Sequence, residues 1–499
     1  MKRRGNETTR RAFLTKLAQG TVGGLAAPLA GYSGLSLGAT PPANELRQTV
    51  AGTVVSRRDA NYENWRTGVA WQPYRADIHG RYPELIVQAE SDADVLSAVR
   101  FARKQGLKVA VKSGGHSESG AFLRDGGILI DLGRLQNVSV HRTSSTFQAQ
   151  PAVWSRNIAK ILAEHSLAFP VAHCGTVPLG GYILAGGHGL NPDAWGTFAC
   201  FNIMAADVVT ADGELVHCNA GAYPDLYWAV RGAGPGFFGV VTRYYLKAYD
   251  FPNAIRSNSY VFPLDFLPDV MRWGQQIADG GIEKTELLLT LVSNPDANNN
   301  SPDSERFLCI FEPTTFASNE SEAKSILAPV AAHPLAQKAI FKHELRPRTF
   351  DELYQRNYYA GYGRHSSDTM WTNTPEKSAD VLVQRFRQIP SSKSVVNIAF
   401  RTNPKLPEDA AASIIGKCFI GCYSSWDSDS ETTRNIAWAR ETVNSLRSIS
   451  VGHYINEVNG FVNPELVPEC FSAEAWKRLR TLRQKYDPAG LFYGFPGLS

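Results

Sequence analysis

The sequence predicts an α+β fold built in two parts, and three observations predict it. Between 83 and 133 a helical period lies between short β-rich runs bounded by glycine. From about 251 to 449, longer helical patterns alternate with β-rich runs, the signature of an antiparallel sheet with helices on one face. The chain changes character near Phe251-Pro252 and again near 450. At 499 residues it exceeds what one simple core serves, so two domains are expected. The first comprises 45–250, rejoined by a returning segment 450–499, and the second is 251–449.

The N-terminus reads as an address rather than as structure. MKRRGNETTRRAFLTK carries Arg10-Arg11 followed by Phe13-Leu14, and no charge occurs from Leu17 to Asn44. Six glycines and three prolines keep that stretch only mildly apolar, short of the ~20 strongly apolar residues a membrane span needs. Residues 1–43 resemble a twin-arginine export signal, cleaved between Ser36 and Asn44, which implies the export machinery as a transient partner and a periplasmic or secreted bacterial protein.

Next comes SDADVLSAVRFARKQG (91–106), with acids near its start, Val95, Ala98, Val99 and Ala102 at helical spacing, and Gly106 as the stop. LKVAVKS (107–113) and GGILIDLG (126–133) are strands. ADVVTADGELV (206–216) is a hairpin turning at Asp212-Gly213. PDLYWAVRGAG (224–234) is a short helix and FFGVVTRYYLKAY (237–249) a strand. In the second part, helices at 375–388 and 430–448 alternate with ELLLTLVS, RFLCIFEPT, SVVNIAFRT and KCFIGCYSS. The polar SNPDANNNSPDSE (293–305) is a hairpin loop.

Composition excludes several classes. With 43% hydrophobic and 20% charged residues and a net charge of +4, the chain has the balance of a soluble globular protein and asks for neither nucleic acid nor an anionic membrane. Seven cysteines show no metal-type spacing, and Cys418 and Cys422 share one face of a strand without a partner pair, so no metal is expected. The odd count leaves at least one cysteine unpaired or chemically used, which suits Cys174.

The chemistry-bearing residues cluster with glycine. Gly234-Pro-Gly-Phe-Phe-Gly239 matches the dinucleotide fingerprint, but it stands between a helix and a strand, the reverse of the required order. Three other groups carry more weight: Ser113-Gly114-Gly115-His116-Ser117, Gly180-Gly181 and Gly186-Gly187-His188-Gly189. Such turns let the backbone approach a ligand and present N–H groups to a pyrophosphate. His116 and Cys174, nucleophiles 58 residues apart, each stand beside them. That arrangement suits one flat, polyphosphate-bearing cofactor held at two points.

These motifs, in this order, resemble the berberine-bridge-enzyme-like branch of the vanillyl-alcohol-oxidase flavoproteins. The resemblance runs from about 83 to 249 and from about 453 to 492, through PELIV (83–87), SGGHS (113–117), C-x5-GG (174–181), PDLYWAVRGAGPGFFGVVT (224–242), Y-x-N (454–456) and KYDP (485–488). It implies a two-subdomain FAD-binding domain and a substrate domain formed by 251–449. It further implies bicovalent FAD, bonded at its ring methyl to His116 and at a ring carbon to Cys174. Gly239 and Val240 join the glycine turns as cofactor-binding residues, while His173 and His188 stand behind them. Asp131 and Arg231 are expected to be structural.

The implied activity is hydride removal from an alcohol (a carbohydrate hydroxyl among the candidates) or amine carbon of a small molecule, with dioxygen reoxidising the flavin to give hydrogen peroxide. Val177 is similar to the residue over the flavin that leaves oxygen access. Relatives carry Y-x-N-Y where this chain has Tyr454-Ile-Asn456-Glu457, so Glu457 becomes a candidate base with Tyr454 and Asn456 beside it. Tyr454, Tyr359 or Tyr423 could supply a phenolate instead, and Glu457 could be a plain exposed or salt-bridged acid. Tyr358, Tyr359, Tyr362 and Trp371 form an aromatic group suited either to core or to substrate lining. Two rivals remain: a dehydrogenase using another acceptor, and a flavin-loaded binding protein without turnover.

Overall fold

Four sheets organise the chain. A computed structural model describes residues 43–71, 80–117, 119–298, 300–354, 363–402, 404–407 and 409–496. The arginine pair of the N-terminus and Tyr358, Tyr359 and Tyr362 lie outside the described residues. The first sheet has β1 (Thr53–Ser56), β2 (Leu85–Gln88), β3 (Val109–Lys112) and β4 (Ile128–Asp131) in the order β1-β2-β4-β3. β4 runs parallel to both β2 and β3, and β1 is antiparallel to β2.

The helix Asp92–Gln105 makes one of these parallel connections. It starts where the Ser91 hydroxyl accepts the Asp94 N–H (3.2 Å) and stops at Gly106, which takes φ 66°. Val95, Ala98, Val99 and Ala102 are buried against Leu85, Val87, Ile128 and Ile130. Each buried valine, leucine or isoleucine among them contributes about 1.5–3 kcal/mol.

The second sheet contains β5 (Val138–His141), β6 (Thr146–Ala149), β8 (Ile203–Thr210), β9 (Leu215–Asn219) and β10 (Gly239–Lys247), ordered β5-β6-β10-β8-β9 and wholly antiparallel. A ribbon of β7 (Leu167–Ala168) and β11 (Tyr249–Asp250) forms the third. β8 and β9 are the hairpin expected around Asp212-Gly213.

The fourth sheet has eight strands: β12 (Ala254–Pro263), β13 (Thr285–Ser293), β14 (Phe307–Ala317), β15 (Phe341–Pro347), β16 (Arg364–Thr372), β17 (Val395–Phe400), β18 (Cys418–Trp426) and β19 (Ser450–Gly452). Their order is β15-β12-β14-β13-β17-β18-β16-β19, every pair antiparallel. Alternation along the central strands divides the two faces. Leu287, Leu289 and Leu291 of β13, Val396 and Ile398 of β17 and Cys418, Ile420 and Cys422 of β18 pack with Trp273, Leu327, Leu382 and Trp438 from the helices. The residues between them face the other way and roof the cavity described below.

After β19 the chain leaves this sheet. The helix Ala473–Tyr486 leads to Phe492, which bridges in parallel fashion to Val109 of β3. Asp487 fixes that return by accepting the N–H of Leu491 (2.6 Å) and Phe492 (3.0 Å).

Candidate active site

One cavity of about 330 Å³ receives residues from three of the sheets and from the returning tail. Its size lies within the range of small-molecule sites. β3 ends at Lys112, and the next five residues, Ser113 to Ser117, form one wall. Glycine is obligatory in that turn: Gly115 takes φ 71°, and a Cβ there would sit 2.0 Å from the Val69 carbonyl oxygen. A second wall is Ala172–Cys174 with Val177, Pro178, Gly180 and Gly181. The two walls are joined where the Gly181 N–H donates to the Ser113 hydroxyl (3.3 Å).

His116 and Cys174 both line this cavity. The Thr176 hydroxyl stands between them, 3.2 Å from the Cys174 sulfur and 3.2 Å from His116 Nε2. The His116 ring also stacks on Trp71, with centroids 4.1 Å apart. The imidazole is therefore held by a face contact and an edge hydrogen bond together.

Not every expected cofactor contact falls here. Ser113, Gly114, Gly115, His116, Ser117, Cys174, Val177, Gly180, Gly181, His188 and Gly239 border the cavity, whereas Gly186, Gly187, Gly189 and Val240 do not. Gly187, at φ 83°, lies under Ala199 and Tyr182, and a Cβ on Gly189 would meet the Tyr182 hydroxyl at 2.0 Å. These glycines serve close packing of protein on protein. Val240 sits one residue out of phase: Gly239 and Val241 face the cavity, so Val240 points into the core with Val209 and Ile130.

His173 and His188 are also in the wall. His173 Nε2 contacts the buried Glu286 carboxylate at 2.6 Å. Burial, with Arg401 and His173 nearby, holds His188 well below the ordinary imidazole range, so it is neutral.

The roof comes from the eight-stranded sheet: Leu288 and Thr290, Asn397 and Ala399, Phe419 and Tyr423. Thr290 donates across the strands to Asn397 (3.1 Å). Tyr423 donates its phenolic hydrogen to the Glu457 carboxylate (2.7 Å). Glu457 is half-buried at the cavity edge.

Tyr454 and Asn456 border the cavity too, but their polar atoms brace the scaffold. The Tyr454 oxygen accepts N–H groups from Gly187, His188 and the Asn456 amide, each at 3.1 Å. Burial, reinforced by the Glu457 charge, pushes that phenol's pKa up. Trp371 is fully buried against His188, Phe198 and Phe419 and is core rather than lining.

Arg124 also borders the cavity and donates to the carbonyls of Ala121 and Gly494 (2.8 Å each), and no carboxylate pairs with it among the described residues. Burial and the neighbouring Arg81 bring it down to about 10. A cation so placed favours an anionic ligand. The residues present thus fit FAD: two nucleophiles, glycine-lined walls and a cation for diphosphate charge.

Sequence patterns alone do not single out Trp71, Thr176, Glu286 or Arg124. No metal-ligand cluster occurs among the described residues. Asp131 is structural, paired to Lys112 at 2.9 Å, and Arg231 is paired to Asp409 at 2.9 Å.

Comparisons with known proteins agree with this geometry. A family profile described as FAD binding domain matches residues 83–219. The FAD-linked oxidoreductase nodO of Hypoxylon pulicicidum is 28% identical over 87% of this chain and 94% of its own length. The crystal structure of 6-hydroxy-D-nicotine oxidase from Arthrobacter nicotinovorans superposes with a TM-score of 0.76 at 22% identity, over 89% of this chain and 97% of that one. A berberine-bridge-enzyme-like protein of Physcomitrella patens also gives 0.76, at 17% identity over 91% and 99%. Fold and site together define the class as that of FAD-linked oxidoreductases.

Proposed function

We propose that the protein is an oxidase. It takes a hydride from an alcohol or amine carbon of a small molecule and delivers the electrons to dioxygen as hydrogen peroxide, with FAD joined to both His116 and Cys174. One observation carries this reading: two nucleophiles 58 residues apart in sequence line the same cavity and share one hydroxyl between them. Bound FAD supplies the two-electron acceptor, and the chain supplies binding, orientation and proton transfer. Ser113–Ser117 and Gly180-Gly181 would border the cofactor, and Arg124 would face its diphosphate.

Glu457 would receive the substrate hydroxyl or ammonium proton as the hydride leaves. Tyr423, a neighbour on the rigid sheet, orients that carboxylate. Leu288, Phe419 and Ala399 offer apolar surface, and the Thr290–Asn397 pair offers polar contact. Val177 is small enough to leave an oxygen path beside Cys174. The Arg10-Arg11 signal supports export through the twin-arginine route. No helix among the described residues is long and apolar enough to cross a membrane.

The test is acid precipitation followed by peptide mapping. Yellow colour in the pellet, with flavin mass on the peptides of His116 and Cys174, is expected. Substrate addition should consume oxygen and release peroxide. Flavin reduction without oxygen uptake would instead identify a dehydrogenase, and no reduction across an alcohol and amine panel would indicate a binding protein.

A further inference from the structure

We infer that Thr176 is a proton relay that activates Cys174, with His116 as the base at its other end. The inference rests on the two-point attachment proposed above. Thr176 does not itself line the cavity, yet its hydroxyl is 3.2 Å from the thiol sulfur and 3.2 Å from His116 Nε2. A hydroxyl both accepts and donates, so S–H to Oγ1 and Oγ1–H to Nε2 make a continuous path. The arrangement has the logic of a nucleophile, a base and a group that orients the base, the last being the Trp71 indole stacked on the imidazole.

The other titratable groups around Cys174 do not compete for this role. Tyr354, packed on Gly175, is held in its neutral form by burial. His173 is turned onto Glu286. Arg156 also packs on Gly175, and its cation favours a thiolate without being able to accept a proton.

The step balances as follows. The thiol proton passes through Thr176 to His116, and the thiolate forms a C–S bond to a carbon of the flavin ring. The C–H bond at that carbon breaks. Its hydrogen, the thiol-derived proton and the two electrons leave with dioxygen as hydrogen peroxide. Dioxygen is thus the oxidant the attachment requires. The thiolate and not the thiol is the nucleophile, so the attachment needs a route that takes the proton away.

Full-length protein made in riboflavin-starved cells and then supplied with FAD allows the attachment to be timed, with peptide mapping distinguishing the two links. For Thr176→Val, the Cys174 link should form at least tenfold more slowly at pH 7 and recover as pH rises to 9. Thr176→Ser, which keeps the hydroxyl, should hold the wild-type rate. A merely structural role would slow serine and valine variants alike and leave no pH recovery. Wild-type timing in Thr176→Val would overturn the relay alone. Absence of flavin on Cys174 in the wild type would overturn the two-point reading and the relay with it.

Discussion

Glu457 and Tyr454 lie three positions apart, and the cavity sets them to different work. The Tyr454 oxygen already accepts three N–H groups, so it holds the 187–188 backbone in place. Glu457 receives one phenolic hydrogen from Tyr423 and keeps its carboxylate at the cavity edge. Glu457→Gln should therefore lower the rate of anaerobic flavin reduction by about 10²–10⁴-fold, with covalent flavin content unchanged. Unchanged reduction would remove Glu457 from the mechanism. Asp368 offers a stability test at the same scale. It is buried in β16, accepts Thr369 N–H (3.2 Å) and the Asn463 amide (3.3 Å), and desolvation pushes it up to about 7. The fold thus prefers its protonated form. That preference is fully present below the ordinary carboxyl range near 3.8 and is lost as pH rises through about 7. Asp368→Asn, which cannot ionise, should gain on wild type between pH 5 and pH 8, by at most about 3 kcal/mol. An equal melting-temperature difference at both pH values would contradict the burial argument.

The turn after β3 is the element on which the site depends most. Gly115→Ala would bring a methyl group against the Val69 carbonyl at a φ that L-residues avoid. The turn must then shift, and with it the Trp71 N–H bond to the Gly115 carbonyl (3.1 Å) and the stack on His116. Acid-stable flavin should fall at least tenfold while the far-ultraviolet circular dichroism keeps its shape. Full flavin retention would show the turn to be more tolerant than its geometry implies. At this scale much was legible beforehand. Helix 91–106 announced its acidic start, stripe and glycine stop, and the long β-rich runs from 286 to 425 announced an antiparallel sheet. Which face of that sheet met the ligand was not legible, because both faces are buried and mostly apolar. Only the polar interruptions Thr290 and Asn397 marked the roof. Of the third glycine cluster only His188 borders the cavity, for a related reason: glycine permits close approach of protein to protein as readily as to a ligand. Trp71 and Thr176 had no local signal, since only tertiary contact brings either to His116.

At the scale of the molecule, the site exists because separate stretches of chain are held together around it. The returning tail closes on β3 at Val109 and Phe492. A buried ion pair ties the roof sheet to the loop after the Gly186–Gly189 turn. Arg401, just past β17, donates to Asp193 (2.9 Å) and to the Thr197 carbonyl (3.0 Å). The N–H and hydroxyl of Thr402 donate to the other Asp193 oxygen, each at 2.8 Å. Burial would raise the Asp193 pKa, but the Arg401 charge and these hydrogen bonds outweigh it and hold the carboxyl below its ordinary range. The pair therefore adds stability above about pH 4, lost as pH falls through the folded value. Arg401→Met leaves a buried carboxylate without its cation and should cost about 3–5 kcal/mol at pH 7. In that variant only the Thr402 hydrogen bonds still oppose burial at Asp193, so its carboxyl protonates more readily and the deficit should shrink towards pH 4. Adding Asp193→Asn to Arg401→Met removes the stranded charge and should recover part of the loss at pH 7. If the double variant is as unstable as the single one, and the deficit is flat with pH, the two parts are joined by packing and the ion pair contributes nothing specific.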